Sequence, residues 1–297
     1  MVLNTVGILS PGDMGHTVGG VLREHGLRVV TCLEGRSART RDLAGQAGIT
    51  DVGSYPSLVS EAELILSIMV PAQALAAGER VAEAIRATGA EVVYADCNAI
   101  APQTARQVGE AITAAGARFV DASIIGPPPR AAGSTRFYAS GPDLTLFEAL
   151  GDFGLTVMPL GPQVGQASAI KMCYAALTKG LTALCTELLT AAASLGVAEP
   201  LKREFQNSQS VLYQRMERGV PHMPAKARRF VGEMEEISRT FEHIGLTPHI
   251  LAGAADVYRL VSQTPLADRN PDDAEPPPSL EETVAVLATA LQPAAGA

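Results

Sequence analysis

Residues 6–15 read VGILSPGDMG. Val6 to Leu9 is a short apolar run of the kind that forms a buried strand, Pro11 and Gly12 interrupt it, and a helix opens near Asp13. The first N–H groups of a helix have no intrahelical acceptor, and the helix dipole is positive at that end, so such a turn attracts an anion. The six residues Ser10, Pro11, Gly12, Asp13, Met14 and Gly15 therefore read as a phosphate-binding turn. Against the spacing G-x-G-x-x-G, Gly12 and Gly15 hold the second and third glycine positions and Ser10 stands at the first.

Downstream of this turn, strand-like runs alternate with helical stretches: Val29 to Leu33, Leu64 to Met69, Val92 to Ala95, Phe119 to Ser123, Phe137 to Ala139 and Thr156 to Leu160. The runs at Leu64 and Val92 are apolar at consecutive positions, as expected of strands covered by helices on both faces. After Gly161 and Pro162 the pattern becomes wholly helical, over roughly 164–195, 199–216, 224–243 and 247–261, and no strand-like run follows Leu160. The expected class is α/β: an N-terminal Rossmann-type, doubly wound parallel sheet followed by an all-α C-terminal domain. The expected divisions are residues 1–162 for the Rossmann domain, 163–264 for a helical domain opening on a long helix, and 265–297 for a linker and terminal helix. PLADRNPDDAEPPPS (265–279) is rich in proline and acid, and Ser279 with Glu282 reads as a capping box for that last helix.

Composition narrows the function. The 297 residues are 47% hydrophobic and 18% charged, a globular balance, and the net charge of −8 opposes binding to a phosphate backbone, so no nucleic-acid partner is expected. Cys32, Cys97, Cys173 and Cys185 are widely spaced and form neither a C-x-x-C pair nor a Cys/His group, which predicts reduced packing thiols and no metal site. His16, His25, His222, His243 and His249 are scattered without metal or triad spacing. The N-terminus lacks a basic leader region and no apolar run is long enough for a membrane span, so a cytoplasmic location without membrane association is expected.

The second strand ends in TCLEGRSART (31–40). In a Rossmann fold an acid at this place holds the adenosine ribose diol, whereas a basic residue pairs with a 2′-phosphate. Glu34 suits NADH; Arg36 and Ser37, with Arg39 nearby, suit NADPH, and NADPH is the favoured cofactor.

Four segments in order now carry a family resemblance: SPGDMG at 10–15, SIMVP at 67–71, DCNAIAP at 96–102 and GPQVGQASAIKMCY at 161–174. With these blocks at this spacing the chain resembles the β-hydroxyacid dehydrogenases, relatives of 6-phosphogluconate dehydrogenase. The region from FQNSQSVLYQRM to KARRFVGEMEEISRTFEHIGLTP resembles the C-terminal domain of a branch of unknown function. The resemblance implies that Met69, Val70, Pro71 and Asn98 line the cofactor. It also implies that Lys171 is the general acid or base, and that the C-terminal helices form a homodimer. A cation able to give up a proton both stabilises and quenches the alkoxide that carbonyl reduction generates.

The sequence also departs from the family. Where the family follows its lysine with Asn one turn later, this chain has Tyr174, which either donates to a substrate oxygen or fills space. Asn98 replaces a serine and either bonds the nicotinamide ribose or substrate, or serves a turn. DASIIGP (121–127) matches the family's D-A-P-V-S-G-G, so Ile125 replaces the serine that anchors a carboxylate; Ser123, Ile125 and Gly126 are the expected substrate contacts, in a pocket more apolar than usual, with Arg130 or Arg136 as carboxylate partners. The leading expectation is interconversion of a carbonyl compound and its hydroxy compound. An imine reductase acting on C=N, and a dinucleotide-binding module without turnover, are the alternatives.

Overall fold

Strand β1 (Thr5–Leu9) is buried at every residue because it lies inside the sheet, paired along both edges, with both of its faces covered. The computed structural model describes residues 2–131, 133–269 and 276–291. In chain order the first unit contains β1, α1 (Asp13–Glu24), β2 (Arg28–Thr31), α2 (Ala38–Gln46), β3 (Thr50–Asp51), α3 (Tyr55–Glu61) and β4 (Leu64–Ser67). It continues with α4 (Ala74–Thr88), β5 (Val93–Asp96), α5 (Pro102–Thr113), β6 (Arg118–Ile125), β7 (Arg136–Ser140), α6 (Thr145–Glu148) and β8 (Thr156–Gly161), and ends within α7 (Gln166–Ser194). Among the described residues the strands form one eight-stranded sheet in the order β3-β2-β1-β4-β5-β6-β7-β8.

The consecutive apolar runs have the expected cause. Val6, Ile8, Leu64, Leu66, Val93 and Ala95 pack on one side with Val18 and Leu22 of α1 and Phe147 of α6. Leu9, Ile65, Tyr94 and Phe119 pack on the other with Leu58 of α3, Val81 and Ile85 of α4, and Val108 and Ile112 of α5. The chain leaves β1 toward β2 and β3, then crosses to β4 on the far side of β1. This crossing creates a topological switch point, where open α/β sheets bind their ligands beyond the strand C-termini.

Two features of the sheet depart from the sequence reading. Strand β7 runs antiparallel to β6, with β8 parallel to β7, so the parallel part comprises β1 to β6. Segment 126–135 is too short for a crossover helix, and a parallel return requires one. Strand β3 has two exposed residues and no apolar alternation, so periodicity does not register it.

The two compact units are Met1–Met172 and Cys173–Ala297. The division falls within α7, later than the expected boundary at residue 162, because the Asp121 carboxylate ties the first turn of α7 into the first unit. In the second unit α8 (Ala198–Ser208) and α9 (Ser210–Gly219) replace the single expected helix, broken at Gln209 with φ −135° and ψ 38°. Asn207, Ser208 and Ser210 surround the break, and such side chains compete for backbone groups and disfavour helix interiors. Helices α10 (Ala227–His243) and α11 (His249–Ser262) follow, and α12 (Leu280–Ala290) starts with the expected capping box on Ser279 and Glu282. Residues 270–275 of the acidic proline-rich stretch lie outside the described residues. Helix α12 is no appendage: Leu280 and Val284 share a core with Cys185, Tyr213, Met216 and Val220. Glu233 of α10 is 6% exposed and pairs with Lys179 and Arg229. Cys32, Cys97 and Cys185 are buried packing thiols as expected, whereas Cys173 is exposed.

Candidate active site

The turn after β1 is built around an unusual backbone. Ser10 has φ 61°, in the left-handed region that favours glycine, which explains why the fingerprint asks for glycine there. Its carbonyl accepts the Gly12 N–H at 2.7 Å. A Cβ on Gly15 would stand 2.8 Å from the Ser10 carbonyl oxygen, so the absent side chain lets α1 close on the turn. Gly12 differs: the single atom within 4 Å of its missing Cβ is that same oxygen at 4.0 Å, which leaves an open cradle. The first α1 bond runs from His16 N to the Gly12 carbonyl at 2.9 Å, so the N–H groups of Asp13, Met14 and Gly15 have no intrahelical acceptor. Pro11 is buried, and Met14 packs on the sheet core. These residues fit a dinucleotide diphosphate.

Beyond β2, the loop is braced from within. The Arg41 guanidinium donates to the carbonyls of Leu33 at 2.7 Å and Arg36 at 3.3 Å, and Ser37 caps α2 by accepting the Thr40 N–H at 3.2 Å. Arg36 reaches toward the Tyr55 hydroxyl at 3.5 Å. Arg39 pairs with Asp13 across the phosphate-binding turn at 2.5 Å. Glu34, Gly35, Tyr55, Pro56 and Arg80 line a cleft of about 540 Å³ beside the end of β2.

The ends of β4 and β5 are stitched together by Asn98. Its Oδ1 accepts the Met69 N–H at 2.6 Å, its Nδ2 donates to Ser67 Oγ at 2.9 Å, and its own N–H donates to Asp96 Oδ1 at 2.9 Å. Asn98 is 2% exposed, so its side chain is engaged in fixing the Met69 loop rather than presented to a ligand. Val70 is 48% exposed, and Pro71 opens a tight turn before α4. Asp96 is buried with Oδ2 unpartnered, and burial, reinforced by the nearby Asp121 charge, pushes its carboxyl up to about 7.

Asp121 organises the rest. It sits on β6 in register with Asp96 and, on the other side, Ser140. Its Oδ2 accepts from Gly165 N (2.8 Å), Ala167 N (3.0 Å), Ser168 N (3.1 Å) and Ser140 Oγ (2.9 Å), and its Oδ1 accepts from Ser168 Oγ (2.6 Å). One carboxylate thus satisfies the N–H groups opening α7. Burial still raises its pKa, against the lowering effect of these bonds.

One turn along, Lys171 Nζ donates to the Ile124 carbonyl at 2.6 Å, beside the expected substrate segment. Ser123 is fully buried with an unpartnered hydroxyl, and Ile125 is 3% exposed. Gly126 has φ 133°, and a Cβ there would stand 2.4 Å from the Ser134 carbonyl oxygen, so no other residue fits. Arg136 is the cross-strand partner of Ile125, whereas Arg130 lines a separate cleft with His16 and His25. Tyr174 follows Lys171 by three residues on α7 and is 47% exposed. The sequence reading missed Asp121, Asp96 and Ser67; the polar row they make across three strands emerges only from the register.

Fold, phosphate-binding turn and α7 anchor together define a nicotinamide-dinucleotide-binding protein of the hydroxyacid dehydrogenase fold. Residues 5–152 match the model described as the NAD binding domain of 6-phosphogluconate dehydrogenase, and residues 192–261 match a domain of unknown function, DUF1932. The chain belongs to the family that joins these two domains, the 6-phosphogluconate dehydrogenase-like β-hydroxyacid dehydrogenases. It is 31% identical to the conserved protein MTH1747 of unknown function, whose structure is described as similar to 3-hydroxyacid dehydrogenases; the match covers 86% of this chain and 97% of that one, with a TM-score of 0.66. It shares its fold with Mycobacterium tuberculosis 3-hydroxyisobutyrate dehydrogenase (20% identity, 97% and 99% of the two chains, TM-score 0.71). The Streptomyces aurantiacus imine reductase is a more distant likeness (17%, 86% and 93%, TM-score 0.56). Among the described residues no group of three or more His, Cys, Asp or Glu is placed to hold a metal, and no helix is long and apolar enough to cross a membrane.

Proposed function

We propose that the protein is an NADPH-preferring oxidoreductase that interconverts a carbonyl compound and the corresponding hydroxy compound, with Lys171 as general acid and base. The observation that carries this reading is the 2.6 Å bond from Lys171 Nζ to the Ile124 carbonyl, which holds an ammonium group beside Ser123 and Ile125. The bound nicotinamide supplies or accepts the hydride. In the reductive direction Lys171 stabilises the developing alkoxide and delivers a proton to it; in the oxidative direction it takes that proton back. Ser123, with its unpartnered buried hydroxyl, orients a substrate oxygen, and Ile125 gives the site an apolar wall that selects against short polar acids. Arg36 and Ser37 read a 2′-phosphate, and Asn98 serves the cofactor by holding the Met69–Pro71 segment in place. Tyr174 assists Lys171 from the next turn of α7.

Tyr174, Leu177 and Leu184 expose 47%, 63% and 55% of their surface along α7, which favours a second copy of the chain covering that stripe. Light scattering on the eluting protein tests the homodimer. The second reading, reduction of C=N bonds, is favoured by Tyr174 standing where the hydroxyacid dehydrogenases carry asparagine, and by the fold likeness to an imine reductase. The deciding experiment titrates the protein with NADPH and NADH by fluorescence. It then screens aldehydes, keto acids, aryl ketones and cyclic imines for cofactor oxidation. Carbonyl-dependent oxidation of NADPH is the expected result. Turnover with imines alone moves the assignment to the second reading, and binding without any turnover points to a dinucleotide-binding module.

A further inference from the structure

The phosphate-binding turn contains a charge that works against its own ligand. Asp13 is the first residue of α1, in the same turn whose N–H groups favour an anion, and its carboxylate is half exposed. An unneutralised carboxylate there repels a diphosphate and competes with it for the positive end of the helix dipole. Asp13 is not left unneutralised: Arg39, in the first turn of α2, reaches it at 2.5 Å. The two side chains are 49% and 45% exposed, and an ion pair so open to water contributes little to folding stability, so stability gives no reason for its position. Arg36 does not share the task, being turned toward Tyr55 at 3.5 Å.

We infer that Arg39 is a positioning residue for the dinucleotide diphosphate, acting through Asp13: it draws the carboxylate aside and cancels its charge, so that the N–H groups of α1 meet the diphosphate unopposed. This inference rests on the dinucleotide reading above and refines it. It assigns Arg39 a role common to NADH and NADPH, distinct from recognition of the 2′-phosphate at Arg36. Because the effect is electrostatic and solvent-facing, it weakens as salt rises.

The test measures dissociation constants for NADH and NADPH by fluorescence titration on wild type, Arg39→Ala, Asp13→Asn and the double variant, at low and high salt. Thermal unfolding of each variant checks that folding is intact. Arg39→Ala is expected to weaken both cofactors about ten-fold at low salt, and Asp13→Asn in the same chain to recover most of that loss. Asp13→Asn alone, which removes the opposing charge and leaves the Arg39 cation unpaired from it, is expected to tighten both cofactors by about two- to three-fold at low salt. Arg36→Ala, the contrasting variant, weakens NADPH and spares NADH. Loss confined to NADPH in Arg39→Ala, or failure of Asp13→Asn to rescue NADH binding, overturns the inference while leaving the dinucleotide reading intact. Absence of binding of either cofactor to the wild type overturns both.

Discussion

The Asp121 carboxylate accepts the Ser168 hydroxyl at 2.6 Å across 47 residues of chain, and this contact joins the sheet to the start of α7. Three backbone N–H groups converge on the same carboxylate, so the helix start, and with it Lys171 one turn later, is set by a single buried acid.

Asp121→Asn turns one acceptor oxygen into an amide donor facing groups that are themselves donors. Charge-assisted bonds of this kind contribute about 1.5–3 kcal/mol each in favourable cases, and a buried donor left unpaired costs about 1–3 kcal/mol. Loss of roughly 3 kcal/mol of unfolding free energy is expected, read from denaturant midpoints. Any folded fraction should lose turnover more than it loses cofactor affinity. An Asp121→Asn protein as stable as wild type would show that the α7 anchor resides elsewhere.

Lys171→Ala removes the proposed proton donor and leaves the phosphate-binding turn untouched. A drop in turnover of about 10²–10⁴-fold is expected, with NADPH affinity unchanged within about two-fold. Retention of more than a tenth of wild-type turnover would remove Lys171 from the chemistry.

Asp96 gives stability a pH dependence with a definite sign. Its carboxyl titrates at about 7 in the folded chain against an ordinary value of 3.8. Below pH about 4 the group is protonated in both states and contributes nothing to the difference. As pH rises through the window from about 4 to about 7 the unfolded chain ionises it while the folded chain resists, so stability falls, by up to about 4 kcal/mol at 1.36 kcal/mol per unit. Asp96→Asn cannot ionise and supplies an amide to the unpartnered Oδ2 position. Denaturant unfolding at pH 5 and pH 8 should therefore show a smaller loss toward alkaline pH in Asp96→Asn than in wild type. Parallel pH curves for the two proteins would contradict the burial argument.

The sequence makes β1, the turn to Asp13 and the change from alternating to wholly helical pattern at Gly161 readable, because each depends on local periodicity and on residues adjacent in the chain. The capping box at Ser279 and Glu282 is legible for the same reason. What escapes is long-range or small. Asp121 reaches its partners on α7 44–47 residues away, and nothing in DASIIGP distinguishes a helix anchor from a strand residue. The Asp13–Arg39 pair depends on the β1–β2 register, and the reversal at β7 depends on a loop too short for a helix. Asn98 shows the limit most plainly: its place in DCNAIAP marks it as important, but only the structure shows that its side chain faces Ser67 and Met69.

Ser10 offers the last test, since it occupies a conformation glycine would occupy without strain. Holding a non-glycine residue at φ 61° costs about 1–2 kcal/mol, and glycine gives back part of the gain through the greater freedom of its unfolded chain. Ser10→Gly is therefore expected to stabilise the protein by about 0.5 kcal/mol, whereas Ser10→Val, β-branched at a positive φ, should destabilise it by more than 1 kcal/mol. Cofactor affinity should survive Ser10→Gly, because the Gly12 cradle and the α1 N–H groups do not change. A clear loss of stability or of NADPH binding in Ser10→Gly would mean that the serine hydroxyl, and not the backbone alone, is at work in the turn.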